Sequence, residues 1–170
     1  MIETIETGKL KWYHILNPSE DDLNFLKDKF DFHPLDIEDC RSVNQRPKID
    51  IYDDYYFLIL HFPYLDKANK FVRTKEVKIF WGNDYIITIG KSHWVIKNLF
   101  NSLKDNPVKR DEATTGSSDS LLYTILDRLM VETYSLLLRL GGEVELINRD
   151  LFNKKAEKTI ERISITRKNI

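Results

Sequence analysis

The feature that most constrains the fold is a long helical pattern in the second half of the chain. It starts at Asp119, passes Gly141-Gly142 and ends near Leu151, with leucines at helical spacing at positions 122, 126, 129, 136 and 140. Residues three and four apart share one face of a helix, so the pattern predicts a long amphipathic helix that packs one side against other elements. The paired glycines predict a break or bend at Gly141-Gly142.

Strand-like segments fill the first ninety residues instead. They are rich in aromatic and β-branched side chains, as strands are. The predicted strands are Leu10 to Leu16, Lys48 to Tyr52, Tyr55 to Phe62, Glu76 to Trp81 and Tyr85 to Ile89. The last two form a hairpin candidate with Gly82-Asn83 as its turn. Strands followed by long helices predict an α+β domain in which helices cover a sheet.

Shorter helices are expected between and after the strands. Asn17-Pro18 reads as a helix start, with Asn17 as the N-cap and Glu20 three residues later. His33-Pro34 opens a second, short helix, and Trp94 to Leu103 is amphipathic. Lys104 to Ser118 is predicted to be a polar connection.

Composition narrows the function classes. Of 170 residues, 42% are apolar and 31% are charged. The net charge is −1, so no excess of basic residues points to nucleic-acid binding. Cys40 is the only cysteine, so an internal disulfide and a cysteine metal cluster are excluded, and a reducing compartment is expected. No run approaches the ~20 apolar residues of a membrane-spanning helix, and the first residues do not resemble a signal peptide.

The segment from His33 to Phe62 carries the most specific motifs. It contains His33-Pro34-Leu35, Glu38-Asp39 and Gln45-Arg46-Pro47-Lys48, followed by an aromatic strand that begins near Tyr52. With this spacing intact, the segment resembles the CorA family of magnesium and cobalt transporters. A second similarity is the helical stretch Leu121 to Asp127. The resemblance covers essentially the whole chain in order.

The resemblance implies a fold and a function. The expected fold has α/β/α layers around a mixed sheet, with residues 1–153 as a cytoplasmic sensor domain and residues 154–170 as the start of a long stalk helix. The full-length protein is expected to be a membrane-embedded homopentamer that transports Mg²⁺ or Co²⁺, with this domain at the cytoplasmic face of the inner membrane. The pore lies outside this chain, which is expected to be soluble, to lack enzymatic activity and to be monomeric on its own.

The resemblance also assigns candidate metal ligands. The positions that match the family's regulatory divalent sites are Glu38, Asp39 and Asp127, which are expected to bind Mg²⁺ between subunits. Mg²⁺ prefers one or two carboxylates and retained waters. Adjacent residues on a helix point ~100° apart, so Glu38 and Asp39 cannot easily chelate one ion within a chain. The stalk aspartate that completes the Asp39 site in the family lies beyond residue 170.

Simpler interpretations remain open for each acidic residue. Glu38-Asp39 could be a solvated helix face, or could pair with Arg41 and Arg46, and Asp127 could pair with Arg128 or Arg139. The acids at positions 50, 53 and 54 lack the Asp-x-Asp-x-Asp-Gly spacing of a calcium loop, and they are predicted to lie in a turn at the end of a strand. The four histidines show no zinc-ligand spacing.

Three other functions compete with a magnesium sensor. A zinc-transporting relative such as ZntB would share the scaffold, although the lack of clustered His and Cys favours Mg²⁺ and Co²⁺. A soluble carboxylate-dependent metalloenzyme would need acids converging on one pocket with a nucleophile, and the acids here are dispersed. A stand-alone interaction module is the third alternative.

Overall fold

The computed structural model describes residues 2–66, 68, 70–90, 93–152 and 156–169. Its strands are β1 (Ile2–Thr7), β2 (Leu10–Leu16), β3 (Lys48–Ile51), β4 (Tyr55–Asp66), β5 (Phe71–Gly82) and β6 (Tyr85–Gly90). Its helices are α1 (Glu20–Lys29), α2 (Pro34–Arg41), α3 (Trp94–Asp105), α4 (Pro107–Thr114), α5 (Ser118–Phe152) and α6 (Ala156–Arg167).

The six strands form one mixed sheet in the order β1-β2-β6-β5-β4-β3. Strand β2 runs parallel to β6, with Trp12 opposite Ile86, while β1 pairs antiparallel with β2, and β3 with β4. The predicted hairpin is confirmed, because β5 and β6 are antiparallel neighbours with Trp81 opposite Ile86. Gly82 still belongs to β5, and a side chain at this position would collide with the ring of Tyr85.

Alternation along the strands gives the sheet two buried faces. On one face, Tyr13 and Ile15 of β2 join a core cluster with Leu23 of α1 and Ile37 of α2. On the other, Trp12 packs edge-on against Phe100 of α3, with ring centroids 4.9 Å apart. Successive side chains in a strand point to opposite faces, so neighbouring residues such as Trp12 and Tyr13 serve different cores. The predicted α/β/α layering of a mixed sheet is confirmed.

The start of α1 differs from the prediction. Ser19, not Asn17, is the N-cap: its hydroxyl accepts a hydrogen bond from the Asp22 N–H at 3.2 Å, and the Asp22 carboxylate accepts one from the Ser19 N–H at 3.0 Å. This reciprocal capping box satisfies two N–H groups at once. Asn17 adopts a left-handed φ of 48° and makes the turn out of β2.

Two further predictions about helices were wrong. Residues 104–118 are not only a connection, because they contain α4, which Asn106 caps by accepting from the Lys109 N–H at 3.1 Å and which begins with Pro107. Asn-Pro is therefore a cap followed by the first helical residue, not a turn. Helix α5 also continues through Gly141-Gly142 without a break, since a glycine costs a helix only about 1 kcal/mol. Strand β1 was not predicted.

The chain divides into two compact units. Unit one comprises Met1–His61 and Lys75–Leu129, and unit two comprises Phe62–Thr74 and Met130–Ile170. Within unit two, the side-chain amide of Asn169 donates to the Lys70 carbonyl at 3.0 Å and accepts from the Val72 N–H at 2.8 Å. Arg162 of α6 pairs with Glu143 and Asp150 of α5. The predicted domain boundary at 153–154 lies outside the described residues, and a stalk beginning with α6 stays a prediction.

Candidate divalent-cation site

Helix α2 presents the predicted acidic pair. His33 caps it by accepting from the Leu35 N–H at 3.3 Å, and Pro34 provides its first residue. Ile37 and Cys40 face the core, which leaves Glu38 exposed and Asp39 half-buried. The two candidate carboxylates therefore differ in environment, although they are neighbours in sequence.

Asp39 already has a cationic partner. The Lys48 ammonium at the start of β3 lies 2.7 Å from the Asp39 carboxylate and 2.5 Å from that of Asp50. Burial would lower the pKa of Lys48, but its hydrogen bonds to the two carboxylates outweigh that effect and raise it. The lysine is thus fully charged, and a metal ion at Asp39 would have to compete with it.

The simpler interpretation of the acidic pair named the wrong cations. Arg41 does not pair with Asp39, because its guanidinium forms a two-point contact with Glu20 of α1, with an Nη2–Oε2 distance of 2.8 Å. Asp39 instead uses Lys48, the last residue of the Gln45-Arg46-Pro47-Lys48 motif.

The loop before β3 is fixed by a buried charge pair on β5. The ammonium of Lys78, a residue only 4% exposed, lies 2.7 Å from the Glu76 carboxylate and donates to the Ser42 carbonyl at 2.6 Å. Glu76 in turn accepts from the Gln45 N–H at 2.6 Å. The motif therefore has a structural role: it ties the end of α2 to the sheet and sets the position of Glu38 and Asp39.

Asp36 is a buried carboxylate that sequence analysis did not single out. The hydroxyl of Tyr55 donates to it at 2.8 Å and that of Tyr52 at 3.2 Å. Burial raises the pKa of Asp36, and these two hydrogen bonds oppose the rise. The available signal was its spacing: Asp36 precedes the buried Cys40 by four residues and so lies on the same helix face.

Asp127 lies on α5 and is exposed. Tyr123, four residues earlier on the same face of the helix, is 71% exposed. Neither Arg128 nor Arg139 forms an ion pair with Asp127 within the part of the chain that the structure describes. Asp127 is thus an unpaired carboxylate next to an exposed aromatic side chain.

The three candidate ligands do not form one site within a chain. Across residues 2–66, 68, 70–90, 93–152 and 156–169, no group of three or more His, Cys, Asp or Glu side chains is arranged to hold a metal ion. Asp53 and Asp54 are exposed in the turn between β3 and β4, as predicted, whereas Asp50 lies within β3 and pairs with Lys48. Burial raises the pKa of the Cys40 thiol to about 12, so this residue offers no thiolate ligand.

None of the helices described here is long and apolar enough to cross a bilayer. The longest, α5, carries charged residues along its length, among them Asp127, Arg128 and Arg139.

Two curated relatives resemble the chain in sequence. One of them, YfjQ of Bacillus subtilis, is named as a metal ion transporter. It is 30% identical over 148 residues, which are 86% of this chain and 44% of the relative. A cobalt/magnesium transport protein, CorA of Thermotoga maritima, is 22% identical over 83% of this chain and 40% of its own length. The chain thus spans less than half the length of these relatives, whose names agree with the expectation that it is not an enzyme.

Solved structures match the fold. The soluble domain of CorA from Methanocaldococcus jannaschii has a TM-score of 0.75 at 20% identity, covering 95% of this chain and 63% of that one. The ZntB cytoplasmic domain from Vibrio parahaemolyticus has a TM-score of 0.69 at 18% identity, covering 95% of this chain and 61% of that one. A family model described as CorA-like Mg²⁺ transporter protein matches residues 7–170. The chain therefore belongs to the CorA-like family.

Proposed function

We propose that the chain is the cytoplasmic regulatory domain of a divalent-cation transporter, and that Mg²⁺ bound between subunits by its carboxylates controls the pore. The observation that carries the proposal is the position of Asp127, an exposed carboxylate one helical turn from the exposed Tyr123. A charge beside an exposed aromatic ring suits a subunit contact surface, where a neighbouring subunit would supply the remaining ligands of a metal site. Family membership supplies the transporter context.

Electrostatics provides the regulatory step. Two carboxylates held ~4 Å apart at an effective dielectric of about 20 repel by roughly 4 kcal/mol. A Mg²⁺ ion between them replaces this repulsion with attraction, and it needs only one or two carboxylates because it retains most of its waters. At low cytoplasmic Mg²⁺ the repulsion returns and loosens the subunit contact, which favours an open pore.

The surroundings of the three acids support different roles for them. Glu38 and Asp127 are exposed and available to an ion, whereas Lys48 neutralises Asp39. We therefore assign sensing mainly to Asp127 and Glu38. Asp39 contributes only when a metal ion displaces Lys48, and this competition lowers the affinity of Asp39 for the ion.

Mg²⁺, with Co²⁺ as a second cargo, is the proposed transported ion, and the assembly is proposed to be a homopentamer at the inner membrane. Hard carboxylate oxygens suit Mg²⁺, and the buried Cys40 supplies no soft ligand for zinc. Zinc transport is the alternative, because the ZntB domain has a similar fold.

A titration followed by thermal unfolding tests the assignment. Full-length wild type, Asp127→Asn and the matched control Asp119→Asn would be heated with increasing Mg²⁺, Co²⁺ or Zn²⁺. An ion that binds only the folded state raises the free energy of unfolding by RT ln(1 + [L]/Kd), which is about 2.7 kcal/mol at a hundredfold excess over Kd. Wild type and Asp119→Asn should be stabilised by Mg²⁺, and Asp127→Asn much less. A shift with Zn²⁺ alone would favour the zinc alternative, and an equal Mg²⁺ shift in all three proteins would reject the site.

A further inference from the structure

Unit two contains a cavity that the metal proposal does not use. It has a volume of about 550 Å³, within the range of small-molecule sites. Side chains from three elements of this unit line it: β4, helix α5 and helix α6. The apolar part of the lining consists of Leu65, Leu136, Leu140 and Ile165. This apolar lining would stabilise an alkyl chain by removing it from water.

Cationic side chains surround the apolar lining. Lys70, Arg139 and Arg162 contribute to the cavity wall, against a single acidic residue, Glu143. Arg162 is neutralised locally, because its guanidinium lies 2.5 Å from Asp150 and 3.2 Å from Glu143. One guanidinium thus serves two carboxylates, and this group of three side chains carries a net charge of −1.

Lys70 and Arg139 are the two cationic side chains of the cavity outside this group, and with them the net charge of the cavity and Asp150 is +1. Lys70 and Arg139 are exposed, and no carboxylate pairs with either side chain anywhere in the described ranges. A guanidinium forms two parallel hydrogen bonds with a carboxylate or phosphate, and a lysine ammonium adds a point charge. The cavity therefore combines an apolar lining with unpaired donors for an anionic head group.

Hydrogen bonds fix the wall that carries Lys70. The side chain of Asn169, which follows α6, bonds to both the Lys70 carbonyl and the Val72 N–H. This two-point contact holds the turn between β4 and β5, in which Lys70 adopts a left-handed φ of 58°. A wall fixed in advance loses less entropy when a ligand binds.

We propose that this cavity binds a small amphiphilic anion: a medium-length alkyl chain among the leucines, with a carboxylate or phosphate head group on Arg139 and Lys70. A bare inorganic anion would leave the leucines without a partner. A neutral or cationic amphiphile would leave the two cations unpaired. This ligand class is independent of the metal proposed at Asp127.

Calorimetric titration of the 170-residue chain tests the proposal, with each probe below its micelle concentration. Decanoate and decyl phosphate are expected to bind saturably, and the tighter of the two identifies the head group. Octanoate should bind about tenfold more weakly than decanoate, because it has two methylenes fewer. Decyltrimethylammonium has the same chain with the opposite charge and should bind at least about tenfold more weakly than decanoate.

Charge reversals on two different elements locate the site. Arg139→Glu and Lys70→Glu should each weaken decanoate binding about tenfold or more, since each removes a charge-assisted contact. The matched control Arg128→Glu makes the same charge change on α5 outside the cavity and should leave the affinity unchanged. Circular dichroism confirms that each variant is folded. Equal weakening by Arg128→Glu, equal affinity for decyltrimethylammonium, or no saturable binding of either anion would overturn the proposal.

Discussion

Lys48 and Asp39 form an ion pair with a distance of 2.7 Å, which joins the first residue of β3 to the last turn of α2. This pair gives a candidate metal ligand a structural partner. It also makes Asp39 different from Glu38 and Asp127, which are exposed. Substitutions at the three positions should therefore have different consequences for stability and for cation response.

Lys48→Met should destabilise the domain by about 1 kcal/mol, because it leaves the half-buried carboxylates of Asp39 and Asp50 without their cation. It should also tighten Mg²⁺ binding at Asp39, since no ammonium competes. Urea unfolding measures the first effect and a Mg²⁺ titration the second. Lys9→Met, an exposed lysine on a turn, is the control and should change neither quantity. A stable Lys48→Met variant with unaltered Mg²⁺ response would show that the pair is incidental.

Lys78→Met should destabilise the fold by about 3 kcal/mol, since it leaves Glu76 partly buried and unneutralised. The double variant Glu76→Gln with Lys78→Met should recover at least about 1 kcal/mol of that loss, as expected for directly coupled residues. Lys11→Met breaks the exposed pair with Glu6 and should cost much less than Lys78→Met, because water screens an exposed ion pair. Urea midpoints of wild type, Lys11→Met, Lys78→Met, Glu76→Gln and the double variant check this order, and additive effects at positions 76 and 78 would contradict the coupling.

His14 should make stability fall in mild acid. Burial lowers the pKa of this histidine from 6.5 to about 4 in the folded state. Between these values the unfolded chain binds more protons, so the stabilisation is complete above pH 6.5 and is lost as pH falls towards 4. The loss amounts to roughly 3 kcal/mol. The difference in unfolding free energy between wild type and His14→Gln, measured from pH 7 to 4, isolates this term from the carboxylates. A pH-independent difference would show that His14 protonates equally in both states.

Gly141→Ala and Gly142→Ala should each stabilise the protein by about 0.5–1 kcal/mol, because alanine is the better helix former. Nothing lies within 4 Å of a side-chain carbon added at either position. Gly82→Ala is the contrasting control and should destabilise, since the added carbon meets the Tyr85 ring. Thermal unfolding of the three variants checks this. Destabilisation by both helix substitutions would contradict the expected gain in helix propensity.

Local patterns in the sequence were sufficient for most of the fold. Alternating aromatic strands and the leucine repeat of α5 predicted the elements, and His33-Pro34 marked the start of α2 correctly. At the start of α1, Asn17 and Ser19 are both good caps, and each is followed three residues later by an acid, Glu20 or Asp22, so the local pattern does not decide between them. At the site, the roles of Glu76 and Lys78 were missed because their contacts to Gln45 and Ser42 join residues 31 and 36 positions apart in the sequence. Intersubunit binding at Glu38 and Asp127 stays a prediction.

Cation flux through the full-length protein tests the central claim most directly. Mg²⁺ uptake into cells or vesicles would be recorded at increasing internal Mg²⁺ for wild type, Asp127→Asn and Asp119→Asn. Wild type and Asp119→Asn should be inhibited as internal Mg²⁺ rises, because the ion bridges subunits. Asp127→Asn should continue to transport at concentrations that close the wild type. Inhibition of Asp127→Asn at the same internal Mg²⁺ as wild type would contradict the account.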